Sequence, residues 1–128
     1  MKISSLIAAA AILSSPATAR DPSPTEMFID FVVLAPIVSK CGTATIVPGG
    51  ALKYANSHGI NFEVVGEAAG NAVLSIVDRP YDKTKLIPAV TAYVKQSSDF
   101  VASEYMKLGA KGFCDRYGKI LVGAGIMK

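Results

Sequence analysis

Residues 23–41, SPTEMFIDFVVLAPIVSKC, form the stretch that decides the predicted fold. Ser23 is a suitable helix N-cap, Pro24 suits the first helical position, and Glu26 completes a capping box. Apolar residues then recur at helical spacing on one face, at Phe28, Phe31, Ala35 and Val38. The stretch therefore predicts a long first helix, kinked at Pro36 because proline removes one backbone hydrogen bond.

This first helix ends near Cys41, one of only two cysteines in the sequence, the other being Cys114. An even pair in an exported chain predicts one disulfide. Cys114 lies in the last predicted helix, residues 110–122, so the bond would join the first and last helices. Closing a loop of this length would stabilise the fold by roughly 4 kcal/mol through the entropy of the unfolded chain.

Three further segments lie between the cysteines. Residues 51–58 predict a short helix that Gly59 would cap, and a long helix begins between Thr84 and Pro88 and runs to Leu108. Residues 60–78 suit a helix capped by Asn61, although alternating apolar residues also suit a hairpin. We expect an all-α domain of four or five helices, with an α+β fold containing a hairpin near 60–78 as the alternative.

The first 19 residues have the pattern of a secretory signal peptide. Lys2 gives a positive start, residues 3–13 are apolar, and Ala17-Thr18-Ala19 suits a signal peptidase. The apolar run of about 11 residues is shorter than the roughly 20 that span a bilayer. We expect cleavage near Ala19, a single domain at residues 20–128 without a transmembrane segment, and a location in the periplasm or outside the cell.

Composition and motifs argue against several functions. The net charge is only +3 and no basic run occurs, so nucleic acid is not an expected partner. His58 is the only histidine and sits in a segment typical of a helix end, so we expect no catalytic residue, no metal site and no cofactor. Glu63 and Glu67 are interpreted as a solvated helical face, and residues 47–50 as a plain turn.

The remaining expectation is a non-enzymatic protein that binds a protein or envelope partner, such as an inhibitor or immunity-type protein. The alternatives are an acid-stress periplasmic chaperone and an enzyme with an unrecognised site. Tyr93 and Phe100, seven residues apart on the long helix, are the predicted partner surface because they lie off its apolar stripe. If that helix were central, both residues would belong to the core instead.

Overall fold

The computed structural model describes residues 21–128 and is all-α, as predicted. Its elements are α1 (Pro24–Ser39), α2 (Gly50–Ser57), α3 (Phe62–Ile76), a 3-10 turn (Lys83–Lys85) and α4 (Pro88–Gly123). The hairpin alternative for residues 60–78 is wrong, because α3 occupies most of that segment. The expected signal peptide, residues 1–19, lies outside the described residues.

The two caps that the sequence predicts define where α1 and α3 begin. Ser23 Oγ accepts a hydrogen bond of 3.1 Å from the Glu26 amide, and the Glu26 carboxylate accepts one of 2.9 Å from the Ser23 amide. Asn61 Oδ1 accepts a 3.1 Å hydrogen bond from the Val64 amide. Such caps satisfy amides that a helix start leaves without partners, so residues 61–64 favour a helix over a strand.

Helix α1 is the central element, in contact with each of the other three helices. It is therefore buried around most of its circumference and not only on the predicted face, at Phe28, Ile29, Asp30, Phe31, Val33, Leu34, Ala35 and Val38. It continues through Pro36 to Ser39. The one charged residue in this buried set is Asp30, which is considered below.

Helix α4 changes direction at Gly109, whose backbone is left-handed (φ 74°, ψ 169°). The bend divides α4 into an N-terminal arm, residues 88–108, and a C-terminal arm, residues 110–123, which correspond to the two predicted helices. Buried Glu104 on the first arm accepts hydrogen bonds from Tyr117 (2.9 Å) and Arg116 (3.4 Å) on the second. These contacts hold the two arms together across the bend.

The disulfide is formed between Cys41 and Cys114, as predicted, with a Cα–Cα distance of 6.1 Å. It attaches the end of α1 to the C-terminal arm of α4. The C-terminal residues then return beside the segment after Cys41, where Thr45 and Lys128 exchange two backbone hydrogen bonds of 2.9 Å. The sequence analysis did not anticipate this short antiparallel pairing, which has no apolar alternation of its own.

Candidate functional site

His58 lies at the C-terminal end of α2, where the sequence analysis put it. Its Nδ1 is 2.9 Å from the carbonyl oxygen of Tyr54, and its ring stacks on the Tyr54 ring with a centroid distance of 4.1 Å. The nearby Ser57 hydroxyl donates to the same carbonyl oxygen at 3.0 Å. His58 Nδ1 also lies 3.2 Å from Ser57 Oγ. Because Nδ1 must donate its proton to the Tyr54 carbonyl oxygen, it cannot accept the Ser57 proton, so the pair has the geometry of a helix end and not of an activated nucleophile.

The acidic pair on α3 is exposed to solvent, as interpreted from the sequence. Glu67 forms an ion pair of 3.2 Å with Lys85 of the 3-10 turn, an interaction that attaches this turn to α3. Within residues 21–128, no group of three or more histidine, cysteine or acidic side chains is arranged to hold a metal ion.

The polar group most deeply buried in the described chain is the Asp30 carboxyl. Ser97 Oγ donates a hydrogen bond of 2.7 Å to Asp30 Oδ1, and the Tyr93 hydroxyl donates one of 3.1 Å to Oδ2. We call these three residues the Asp30 cluster. Burial raises the pKa of Asp30 from 3.8 to about 7, although the two hydrogen bonds oppose this shift.

The Asp30 cluster joins α1 to α4 in the interior. A carboxylate beside a serine hydroxyl resembles part of a catalytic arrangement, but Asp30 and Ser97 are both buried. A substrate would need access to the Ser97 hydroxyl to react with it. The cluster therefore serves packing between α1 and α4, and each carboxyl oxygen has a hydrogen-bond donor.

The two residues of the predicted partner surface are both half-buried. Tyr93 packs against the core and belongs to the Asp30 cluster through its hydroxyl. Phe100 makes no ring contact within the described residues. The partner surface therefore stays a prediction. The hydrogen bond to Asp30 gives Tyr93 a structural role that the sequence did not reveal.

A groove with apolar walls opens between α1, α3 and the N-terminal arm of α4, with a volume of about 460 Å³. Helix α1 and the end of α3 supply Val33, Ile37, Val73, Ile76 and Val77. Helix α4 supplies Ser98, Val101, Ala102, Tyr105 and Met106. We call these ten residues the apolar groove.

The apolar groove is lined by side chains that a small protein would ordinarily bury. Met106 is 86% exposed and Val77 is 56% exposed, and Ile76 and Tyr105 are also exposed. Single exposed apolar residues are common, but several that share one concave surface indicate a binding site. Ser98 is the only residue among the ten with a polar aliphatic side chain, so the groove offers few hydrogen bonds.

A second cavity, of about 560 Å³, adjoins the groove near the disulfide. The two cavities share Ile37 and Tyr105. The charged residues that line the second cavity are Lys40, Lys111 and Asp115, and we call it the lysine pocket.

The sequence analysis missed the apolar groove. Helical spacing groups Ile76 and Tyr105 with the apolar faces of α3 and α4, whereas the structure leaves both exposed. The one sequence signal for the groove is Met106, which follows Tyr105 directly and lies off the apolar face of α4. Helical spacing shows which residues share a face, but it does not show where three helices diverge.

Comparisons with known protein families, with characterised proteins and with solved structures gave no match to this chain. Among residues 21–128, no helix combines the length and the apolar content that crossing a bilayer requires. The function is therefore inferred from the geometry alone.

Proposed function

We propose that this protein is an exported, non-enzymatic binding protein that holds an aliphatic chain of an envelope lipid in the apolar groove. The observation that carries the proposal is the exposure of Met106, Val77, Ile76 and Tyr105 along one concave surface. Removing such side chains from water is favourable, and no segment within residues 21–128 covers them.

The size of the groove supports a small apolar ligand over a protein target. Its volume of about 460 Å³ is within the range of about 300–1,000 Å³ that is typical of small-molecule sites. An inhibitor or immunity-type protein would instead need a surface of about 800 Å² with a polar rim. Methionine at the mouth also suits chains of variable shape, because its side chain is flexible and polarisable.

Export and the absence of catalysis are parts of the same proposal. The signal-like residues 1–19 and the Cys41–Cys114 disulfide both fit an oxidising compartment such as the periplasm. Ser97 and Asp30, whose hydroxyl and carboxyl groups come nearest to a catalytic arrangement, are both buried. A binding role needs none of these groups to react.

The protonation behaviour of Asp30 does not support the acid-stress chaperone alternative. Its pKa is higher in the fold, about 7, than the ordinary 3.8, so the folded state binds this proton more tightly. Acid therefore favours the folded state at this residue, whereas a chaperone of this kind would unfold in acid. Asp82, whose pKa is lowered by hydrogen bonds from Thr84, acts in the opposite direction but is exposed.

The proposal is tested by binding of decanol, a neutral aliphatic probe, measured by displacement of an uncharged naphthylamine dye. We expect Met106→Ser with Val77→Ser to weaken decanol binding at least tenfold, because both side chains line the groove. The matched control is Leu52→Ser with Val64→Ser, which removes two exposed apolar side chains outside the groove.

Melting temperatures of both double variants should lie close to that of the wild type, because exposed side chains contribute little to stability. The control variant should bind decanol as the wild type does. Equal loss of binding in both variants, or no binding by the wild type, would show that the groove is not the site.

A further inference from the structure

We propose that the apolar groove and the lysine pocket together bind one medium-length fatty acid, with its chain in the groove and its carboxylate at the Lys40 ammonium group. This inference rests on the proposed function, and it adds a headgroup and an orientation. It is carried by the two cavities being adjacent and by the charges that line one of them.

The two cavities adjoin one another, because Ile37 and Tyr105 line both. Along α1, their linings run from Val33 through Ile37 to Lys40, on successive turns of the helix. Seven residues of α-helix correspond to about 10 Å at about 1.5 Å per residue. A path of this length that is apolar at one end and charged at the other suits a single-chain amphiphile.

The charges at the pocket end favour an anion. Lys111 and Asp115 neutralise one another through an ion pair of 3.0 Å. Lys40 is exposed, and its ammonium group has no ion-pair partner within the described residues. One positive charge thus remains beside the apolar path, and a carboxylate would complement it.

The disulfide anchors the backbone next to Lys40. Cys41 follows Lys40 directly, and both Cys41 and Cys114 line the lysine pocket. The bond holds the end of α1 against the C-terminal arm of α4, so Lys40 starts from an anchored backbone. Such anchoring reduces the ordering that ligand binding would otherwise require.

The experiment compares decanoate, decanol and decyltrimethylammonium by isothermal titration calorimetry with the intact, oxidised protein. We expect decanoate to bind about fivefold more tightly than decanol, as one solvent-accessible ion pair allows, and the cation to bind most weakly. Lys40→Gln should abolish the preference for decanoate without changing decanol affinity, and Lys40→Arg should retain it. Lys53→Gln, which removes an exposed charge on α2, is the matched control and should change nothing.

The outcomes separate this inference from the proposed function. Equal affinity for decanoate and decanol, or a preference that survives in Lys40→Gln, would overturn the carboxylate assignment and leave the groove as a chain-binding site. Failure of all three probes to bind would overturn both. Sedimentation of the free protein tests whether a second copy of the chain covers the groove. If the wild type is a dimer and the Met106→Ser, Val77→Ser double variant is a monomer, the groove is a protein interface. That result would refute the carboxylate assignment and the proposed function.

Discussion

The Asp30 cluster and the apolar groove reverse the usual distribution of polar and apolar groups in opposite ways, although both lie between α1 and α4. In the cluster a carboxyl group is buried, and it receives hydrogen bonds from Ser97 and Tyr93. In the groove apolar side chains such as Met106 are left in water. Each arrangement is unfavourable alone, but only the cluster is compensated by other residues within the described chain.

This difference indicates what each region is for. A buried polar group with a donor on each oxygen specifies one way of packing two helices, so the cluster has a structural explanation. The exposed apolar surface has no comparable explanation inside residues 21–128. The ligand that we propose would cover this surface, and this is why we assign function to the groove and not to the cluster.

The largest expected effect comes from breaking the disulfide. This bond joins α1 to α4, and both helices contribute to the Asp30 cluster and to the apolar groove. Cys41→Ser with Cys114→Ser should lower the free energy of unfolding by roughly 4 kcal/mol, because the unfolded chain gains the entropy of a long open loop. Denaturant unfolding of both proteins measures the change. If the loss is below about 1 kcal/mol, the bond contributes little to anchoring α1.

The same double variant tests whether the two regions are independent. Its ligand binding should weaken, because the disulfide lines the lysine pocket. The pH dependence that Asp30 produces should persist, because Ser97 and Tyr93 hold the carboxyl group without help from the bond. Loss of both properties together would mean that the regions act as one unit.

The second effect is a decrease in stability as pH rises, caused by Asp30. Below pH 3.8 the carboxyl is protonated in both states, and between pH 3.8 and about 7 only the folded state keeps the proton. The contribution of Asp30 to the free energy of unfolding should therefore fall across this window, by up to roughly 4 kcal/mol in total, and then level off. Glu26, one turn away, contributes to the shift because its negative charge disfavours a second one nearby.

Asp30→Asn provides the comparison for this prediction. An amide cannot ionise, so the variant should be more stable than the wild type at pH 8 and should lose most of the decrease between pH 4 and pH 7. Urea unfolding at pH 4, 6 and 8 measures both proteins. If the two proteins change in stability by the same amount over this range, the pKa of Asp30 is not raised in the fold.

Local sequence signals predicted much of this fold. The Ser23 capping box, the Asn61 cap and the spacing of apolar residues were enough for four helices, and two cysteines in a chain with a signal-like start were enough for the bond. These signals act over a few residues, so one sequence displays them. The single face assigned to α1 was incomplete, because its burial depends on three other helices packed around it.

The candidate site could not be predicted in the same way. Asp30 lies 63 residues from Tyr93, and no local pattern shows that their side chains meet. The apolar groove depends on the angles between helices, which decide whether Tyr105 or Ile76 is covered. Lys40 acquires its place in the proposed site because α4 packs beside the end of α1, where the disulfide joins the two helices.

The smallest expected effect separates the two residues of the predicted partner surface. Tyr93→Phe removes one hydrogen bond to Asp30 and should lower the free energy of unfolding by about 1 kcal/mol at pH 8. The loss should be smaller at pH 4, because a protonated carboxyl depends less on that donor than a carboxylate does. Phe100→Ser removes no ionisable or hydrogen-bonding group, so any change it causes should be the same at both pH values. Equal pH dependence in the two variants would contradict the structural role of Tyr93, and would favour treating both residues as one surface.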